Sequence, residues 1–484
     1  MSSLKEKIVS GVLWQFFEKL GSQGFLFFVS IILARLLEPE EFGVVAIILV
    51  LIQLCNSVVD CGFSTAIIQK KDADDIDCST VFYFNLITAL VFYIVLCISS
   101  PYIALFYQKE NLVIYIRVMS LLLLTNASFA IQSVMLRKQM LFKHSFKITW
   151  SSILVSSSVA VSLAFLGYGV WALIISQLVG SIVSSILYWK IIRWIPKKHF
   201  SFTRLKQLFS FGSKLFLSSL MDKIYYDMFS LFLGKVYRLQ TLAFYNRGQA
   251  ISSTALGVVS GVVSSVSLPA LSQLQDDREK MKKLMQQSIK TIMFIVVPSM
   301  VGLALFANPI VRIIFSEKWL ACVIFLQLSC LFRFFIPVDV LNLQTAIACG
   351  RSDINLILEI LKKVQFIIVI FCTYRFGLIV MVTGISLCGI LFFVENAWMS
   401  KKLVKYSPLQ QFLDILPFLL TALFAAGCSF FALRAFHSSW LKLGVGGIIF
   451  SVIYLVLSWR FKIIPNIYLD LFAKIFSWKK KKCS

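Results

Sequence analysis

Lys19, Lys223, Arg247, Arg333, Lys362 and Lys363 all lie well inside stretches that are otherwise apolar. A charge at the centre of a bilayer costs about 2.5–3.5 kcal/mol on insertion scales, so such residues face a watery cavity or a partner. Several cations facing one cavity make a site for an anionic group that crosses the membrane. Arg333 is the leading candidate. It lies midway along its segment, one turn before Pro337, which removes a backbone hydrogen bond and can kink a helix. Arg247, about two turns into its own segment by helix rise, follows. Guanidinium forks bind phosphate oxygens bidentately and stay charged when desolvated. Lys223, Lys19 and Lys362 complete the set, whereas Lys214 is near enough to a helix end to snorkel. Four carboxylates, Asp60, Asp227, Asp339 and Glu18, are candidates to bind a proton or Na⁺, since a buried carboxylate titrates near neutral pH. Lys223 and Asp227, four residues apart, could instead pair within one helix.

The segments that carry these charges also carry polar stripes at helical spacing. Gln15, Glu18, Lys19, Ser22 and Gln23 form one, and Gln53, Asn56, Asp60 and Ser64 a second. Ser219, Lys223, Tyr226, Asp227 and Ser230 form a third. A fourth comprises Asn246, Gln249, Ser253, Gly257 and Ser260, with Arg247 on its flank. Such stripes either line a cavity or hold neighbouring helices together.

Composition bounds the class. The chain is 59% hydrophobic, 14% charged and has a mean hydropathy of +0.85, which describes an all-α polytopic membrane protein. A β-barrel would show short alternating segments rather than recurring apolar runs of about 20 residues. The first apolar stretch lacks a small-residue cleavage site and carries Gln15, Glu18 and Lys19, so it reads as a retained membrane segment. Eleven cysteines show no CxxC pairing, and His144, His199 and His437 all fall in loops, so neither a disulfide, a metal nor a cofactor is expected. The net charge of +24 suggests nucleic acid only until its placement is read. The basic residues concentrate in alternate loops, as membrane topology requires.

Fourteen spans are expected, at about 12–36, 42–66, 80–106, 112–135, 147–166, 169–192, 208–234, 240–268, 288–308, 320–347, 354–374, 377–399, 412–434 and 439–461. Placing both termini in the cytoplasm puts roughly 30 of the 47 Lys and Arg on that side and roughly 11 outside. Positions 200 apart also match. Leu33-Ala34-Arg35-Leu36 closes the first span and Leu233-Gly234-Lys235-Val236 the seventh, each followed by a polar turn into a new apolar helix. The offset covers six spans, which implies parallel repeats: a lobe over 1–200, a second over 201–405, and two further helices with a basic tail over 406–484. In transporters built this way the substrate site lies near the midplane.

Specific residues carry a family resemblance as well. Gly11-Val12-Leu13-Trp14, the run Leu33-Ala34-Arg35-Leu36-Leu37-Glu38-Pro39-Glu40-Glu41-Phe42-Gly43 and Tyr245-Asn246-Arg247 resemble the Wzx-type polysaccharide transporters. Asp60-Cys61-Gly62-Phe63 and Pro269-Ala270-Leu271-Ser272 fit the same pattern. That group belongs to the multidrug/oligosaccharidyl-lipid/polysaccharide exporter superfamily. The resemblance spans essentially the whole chain. It implies two six-helix lobes working by alternating access in the bacterial cytoplasmic (inner) membrane, and a cargo of oligosaccharide linked to undecaprenyl pyrophosphate. Membrane lipids, H⁺ or Na⁺, and a polysaccharide polymerase or other export machinery are the implied partners.

Two other functions compete. A membrane-bound ligase or polymerase holds its acid, base or nucleophile in a sizeable outer loop, and no outer loop here exceeds about a dozen residues. A multidrug exporter of the same superfamily would favour an acidic, aromatic cavity for organic cations. The intramembrane charge here leans basic. A purely structural subunit would not retain so many costly charges.

Overall fold

The computed structural model describes residues 21–70, 72–139, 141–274, 277–434, 436–465 and 468. The first unit begins with α1 (Gly21–Leu36), α2 (Pro39–Asp60), α3 (Phe63–Gln69), α4 (Asp75–Tyr107) and the pair α5 (Leu112–Met119) and α6 (Leu121–Lys138). It continues through α7 (Phe142–Phe165), α8 (Val170–Ile192) and α9 (Phe202–Val236). The chain then divides between Ala243 and Phe244 into a second compact unit, so α10 (Leu239–Ser272) starts in one and runs on in the other. The second unit holds α11 (Arg278–Leu305), α12 (Ala307–Phe315), α13 (Cys322–Arg333), α14 (Ile336–Ala348) and α15 (Ser352–Thr373). It closes with α16 (Leu378–Val404), α17 (Pro408–Arg434) and α18 (Ser439–Arg460).

No strand occurs among the described residues, and ten of their helices are long and apolar enough to cross a membrane, with α1 a shorter apolar helix beside them. The protein is an all-α multi-pass membrane protein. The expected fourteen segments are consistent with these helices once α2–α3, α5–α6 and α13–α14 are each counted as one interrupted span and the nine-residue α12 is set aside. Helices are the form that works here because each satisfies its backbone hydrogen bonds internally, without water.

The repeat seen in sequence marks real corners. The helix ending at Leu36 is followed by one starting at Pro39, and the helix ending at Val236 by one starting at Leu239. These corners touch. A Cβ at Gly43 would lie 2.1 Å from the Leu239 carbonyl oxygen, and one at Gly234 would lie 2.7 Å from the Ile47 side chain. Small residues let the backbones approach, as in other membrane helix pairs. A second close approach sits at the break between α2 and α3. Cys61 and Gly62 both adopt positive φ (45° and 77°), and a Cβ at Gly62 would lie 2.4 Å from the Gly212 carbonyl oxygen of α9.

An ionic clasp positions the start of α9. Asp74 caps α4 by accepting from the backbone N–H groups of Ile76 (3.1 Å) and Asp77 (2.9 Å), and Arg204 binds it at 2.5 Å. Fully buried Asp77 pairs with Lys70 (2.6 Å) and Arg204 (3.3 Å), while Lys197 pairs with Asp75 (2.9 Å). The connection from α8 to α9 is pinned too, since the backbone N–H groups of Lys197 and Ser201 donate to Ser79 Oγ (2.9 Å) and Thr80 Oγ1 (3.2 Å). Beneath lies an aromatic cluster in which Phe82 meets Trp189 and Trp194 edge to face at 6.0 and 6.1 Å.

Two outcomes follow from this packing. Gly62→Ala must add a Cβ at positive φ against backbone, costing about 2–5 kcal/mol, and should lower the thermal unfolding midpoint in detergent. Gly257→Ala, which meets open space, should stay within about 1 kcal/mol of wild type in the same assay. Asp74 should stay ionised at physiological pH. The backbone N–H of Asp77 and then the Arg204 guanidinium hold the Asp74 carboxyl down at about 2. A carboxyl depressed on folding stabilises above its unfolded value of about 3.9 and loses that contribution as pH falls towards 2. Melting curves at pH 7 and pH 5 should show the same loss in Arg204→Ala relative to wild type.

Candidate functional site

Arg333 is the last residue of α13, and the helix is interrupted there for two residues, Phe334 and Phe335, before α14 begins. Pro337 sits in the first turn of α14, where its missing N–H is one that no helical carbonyl would have bonded. The break leaves the guanidinium at a helix end, within reach of α10. Gly248 makes the approach feasible, because a Cβ there would fall 2.7 Å from the backbone nitrogen of Leu326 in α13.

One turn along, the polar side chains of α10 and α13 interlock. Arg333 Nη2 donates to Gln249 Oε1 at 2.9 Å and Arg333 Nε to Ser329 Oγ at 3.3 Å. Ser329 also donates to Gln249 Oε1 (2.9 Å) and shares a 2.5 Å contact with Ser252 Oγ. The Gln249 amide in turn donates to the Tyr245 hydroxyl at 3.0 Å, and the Tyr245 ring packs edge to face on Phe325. Ser252 and Ser329 are fully buried. Gln249 and Ser329 are uncharged acceptors, and together they fix the orientation of the guanidinium between α10 and α13.

The other candidates fall elsewhere. Arg247, two residues from Gln249, points about 200° around the helix from it. Its guanidinium lies over the rings of Phe315 and Trp319, 5.0 Å from each centroid, a cation–π seat. Lys362, on α15, is mostly buried, pairs with Glu359 at 3.0 Å and lies 5.9 Å from the Phe392 ring centroid. Asp339, on α14, has Asn396, Lys362, Glu359 and Glu395 as neighbours, and its Oδ1 is shielded from solvent with no hydrogen-bond partner among the described residues. Asp60 accepts from the backbone N–H of Ser64 at 3.3 Å and from its hydroxyl, so it helps to start α3 after the break. Glu18 and Lys19 lie outside the described residues, as do the side chains of Lys223 and Asp227.

The polar stripes resolve unevenly. On α10 the face that engages α13 is Tyr245, Gln249 and Ser252, whereas Ser253 donates to the Ala250 carbonyl of its own helix. In the first unit, Gln53 and Asn56 of α2 line a cavity of about 400 Å³ together with Asn126 of α6, Ser157 of α7, and Gln177 and Ser181 of α8. Reading the sequence did not find the last four. Gln177 and Ser181 stand one helical turn apart, a polar stripe of two that the surrounding apolar residues concealed.

A family described as polysaccharide biosynthesis protein matches residues 32–324. The chain belongs to that family. Among curated relatives, the Bacillus subtilis teichuronic acid biosynthesis protein TuaB is 26% identical over 75% of this chain and 76% of its own length. The Escherichia coli lipopolysaccharide biosynthesis protein WzxC is 24% identical over 75% of each chain. The solved inward-closed structure of the lipid II flippase MurJ superposes with a TM-score of 0.71 at 19% identity, covering 95% of this chain and all of that one. At that identity the superposition establishes the fold. The family residues include Leu33-Ala34-Arg35-Leu36, both repeat corners, Gln249 and Arg247, and they end before Arg333.

The Gln249–Arg333 bond should be energetically coupled. A double-mutant cycle with Gln249→Leu and Arg333→Met, read by thermal unfolding in detergent, should give an interaction of about 0.5–3 kcal/mol. Additivity would show that the bond contributes nothing to stability.

Proposed function

We propose that this protein moves an oligosaccharide linked to undecaprenyl pyrophosphate from the inner to the outer leaflet of the bacterial cytoplasmic membrane, by alternating access. The family match carries the reading: its relatives are named for building teichuronic acid and lipopolysaccharide, and a repeat unit made on one leaflet must cross to be assembled on the other. The fold shared with a protein titled a lipid II flippase supports it. The protein is a transporter and not an enzyme.

In this reading the six-helix lobes cover 1–200 and 201–405, with 406–484 as an appendage and both termini cytoplasmic. Arg333 binds the pyrophosphate first. Gln249 and Ser329 orient its planar fork, the geometry that binds phosphate oxygens bidentately. Arg247, Lys223, Lys19 and Lys362 supply further positive potential along the path. Asp339 is the foremost candidate for coupling to H⁺ or Na⁺, with Asp60, Asp227 and Glu18 as the others. A polysaccharide polymerase consumes the product on the far side. Export of organic cations would ask for an anionic or aromatic wall, whereas the guanidinium held by Gln249 and Ser329 repels a cation.

Lipid-linked repeat units should accumulate on the cytoplasmic leaflet of a strain lacking this gene, and the wild-type gene should clear them. Arg333→Ala should flip about 10–100-fold more slowly, the worth of one charge-assisted contact, and Arg333→Lys should rescue only in part because it lacks the fork. Repeat units that reach the outer leaflet without the protein and remain unpolymerised there would overturn the transport reading.

A further inference from the structure

The cavity of about 400 Å³ inside the first unit has a chemistry distinct from that of the cations. Among the described residues none of its lining side chains is charged. Its polar wall consists of carboxamides and hydroxyls, and its other wall is aliphatic.

The hydrogen bonds sort these groups into two kinds. Three of the four hydroxyls are occupied: Ser181 donates to Asn126 Oδ1 at 2.8 Å and shares a 2.7 Å contact with Thr125, Ser176 donates to the Leu173 carbonyl at 3.0 Å, and Ser156 to the Ile153 carbonyl at 3.1 Å. The carboxamides of Gln53, Asn56 and Gln177 have no hydrogen-bond partner among the described residues. Each offers two donors and a carbonyl acceptor to whatever fills the space.

That inventory discriminates among occupants. Among the described lining residues a phosphate would meet no cation, and an organic cation would meet neither a carboxylate nor an aromatic face. An alkyl chain would desolvate three carboxamides without bonding them. A sugar hydroxyl is both donor and acceptor, as a carboxamide is, and the carbon faces of the ring suit an aliphatic wall. The volume falls within the range of small-ligand sites, about 300–1,000 Å³.

We infer that this cavity binds uncharged sugar residues of the carried oligosaccharide, with Gln53, Asn56 and Gln177 as the groups that select it. The inference rests on the glycolipid reading above and adds to it a division of labour. Cations hold the diphosphate, and a neutral cavity reads the glycan.

The test uses the full chain in lipid nanodiscs and two probes. One is the undecaprenyl-pyrophosphate-linked repeat unit extracted from the source strain, and the other is bare undecaprenyl pyrophosphate. Wild type should bind the first more tightly than the second. The triple variant Gln53→Leu, Asn56→Leu, Gln177→Leu should lose about tenfold or more in affinity for the first and keep its affinity for the second. Arg333→Ala should weaken both. Wild type binding neither probe would overturn the glycolipid reading itself, and this inference with it. Unchanged binding of the repeat unit by the triple variant would show that the cavity holds water only. An equal loss for both probes would make the carboxamides scaffold. Either result overturns the sugar site while leaving the flippase reading intact. If the triple variant does not fold, Gln177→Leu alone is read against the same two probes.

Discussion

A polar group carried into hydrocarbon finds its partners inside the protein or costs several kcal/mol, and this single constraint orders the whole structure. It makes every span a helix. It also dictates what happens where a helix is interrupted. At Arg333 the chain leaves α13, and the guanidinium freed at that end is met by Gln249 and Ser329. At Asp60 the chain leaves α2, and the carboxylate is taken up by the first turn of α3. The fully buried set of Asn342, Ser400 and Gln411 follows the same rule, since its members bond one another and Gln411 also donates to the Tyr406 carbonyl.

Partners for polar groups require close backbones, and the glycines set where these occur. Gly248 brings α10 onto α13, so that Gln249, Ser252 and Ser329 fall within hydrogen-bond reach. Gly43, Gly234 and Gly62 do the equivalent in the first unit, where the two repeat corners cross and α9 meets the break after α2. The clasp around Arg204 completes that arrangement at the start of α4, where a capped helix end holds exposed Asp74 and buried Asp77 in register. Packing and polar chemistry are therefore not separate layers in this protein. A methyl group at Gly248 would separate the side chains that hold Arg333.

Much of the functional reading was visible as residue type. Arg333 before Pro337 could be singled out because a lone cation at mid-span is costly and a following proline disturbs the ladder. The structure shows a two-residue interruption of the helix at that point. Gln249 could be placed on a polar stripe, but its companions could not be separated from Ser253, because adjacent serines differ by about 100° of helix and either can satisfy itself on a backbone carbonyl. Arg247 illustrates the limit more sharply. Only the fold shows that aromatic rings from α12 and the turn after it receive its guanidinium, since Phe315 and Trp319 are some 70 residues away in sequence.

By itself the sequence determined the class, the succession of apolar helices, the repeat corners at 36–39 and 236–239, and the family. Each of these is written locally, in runs of apolar residues, in small residues beside turns and in contiguous motifs. Tertiary structure decided which polar groups share a partner. Arg333 with Gln249, Asp74 with Arg204, and the carboxamides of α2 with Gln177 of α8 are all joined across long separations. Which face of a helix meets which neighbour depends on crossing angles and glycine contacts that no local pattern encodes, so the same residues could have been glue, clasp or binding site until the helices were packed.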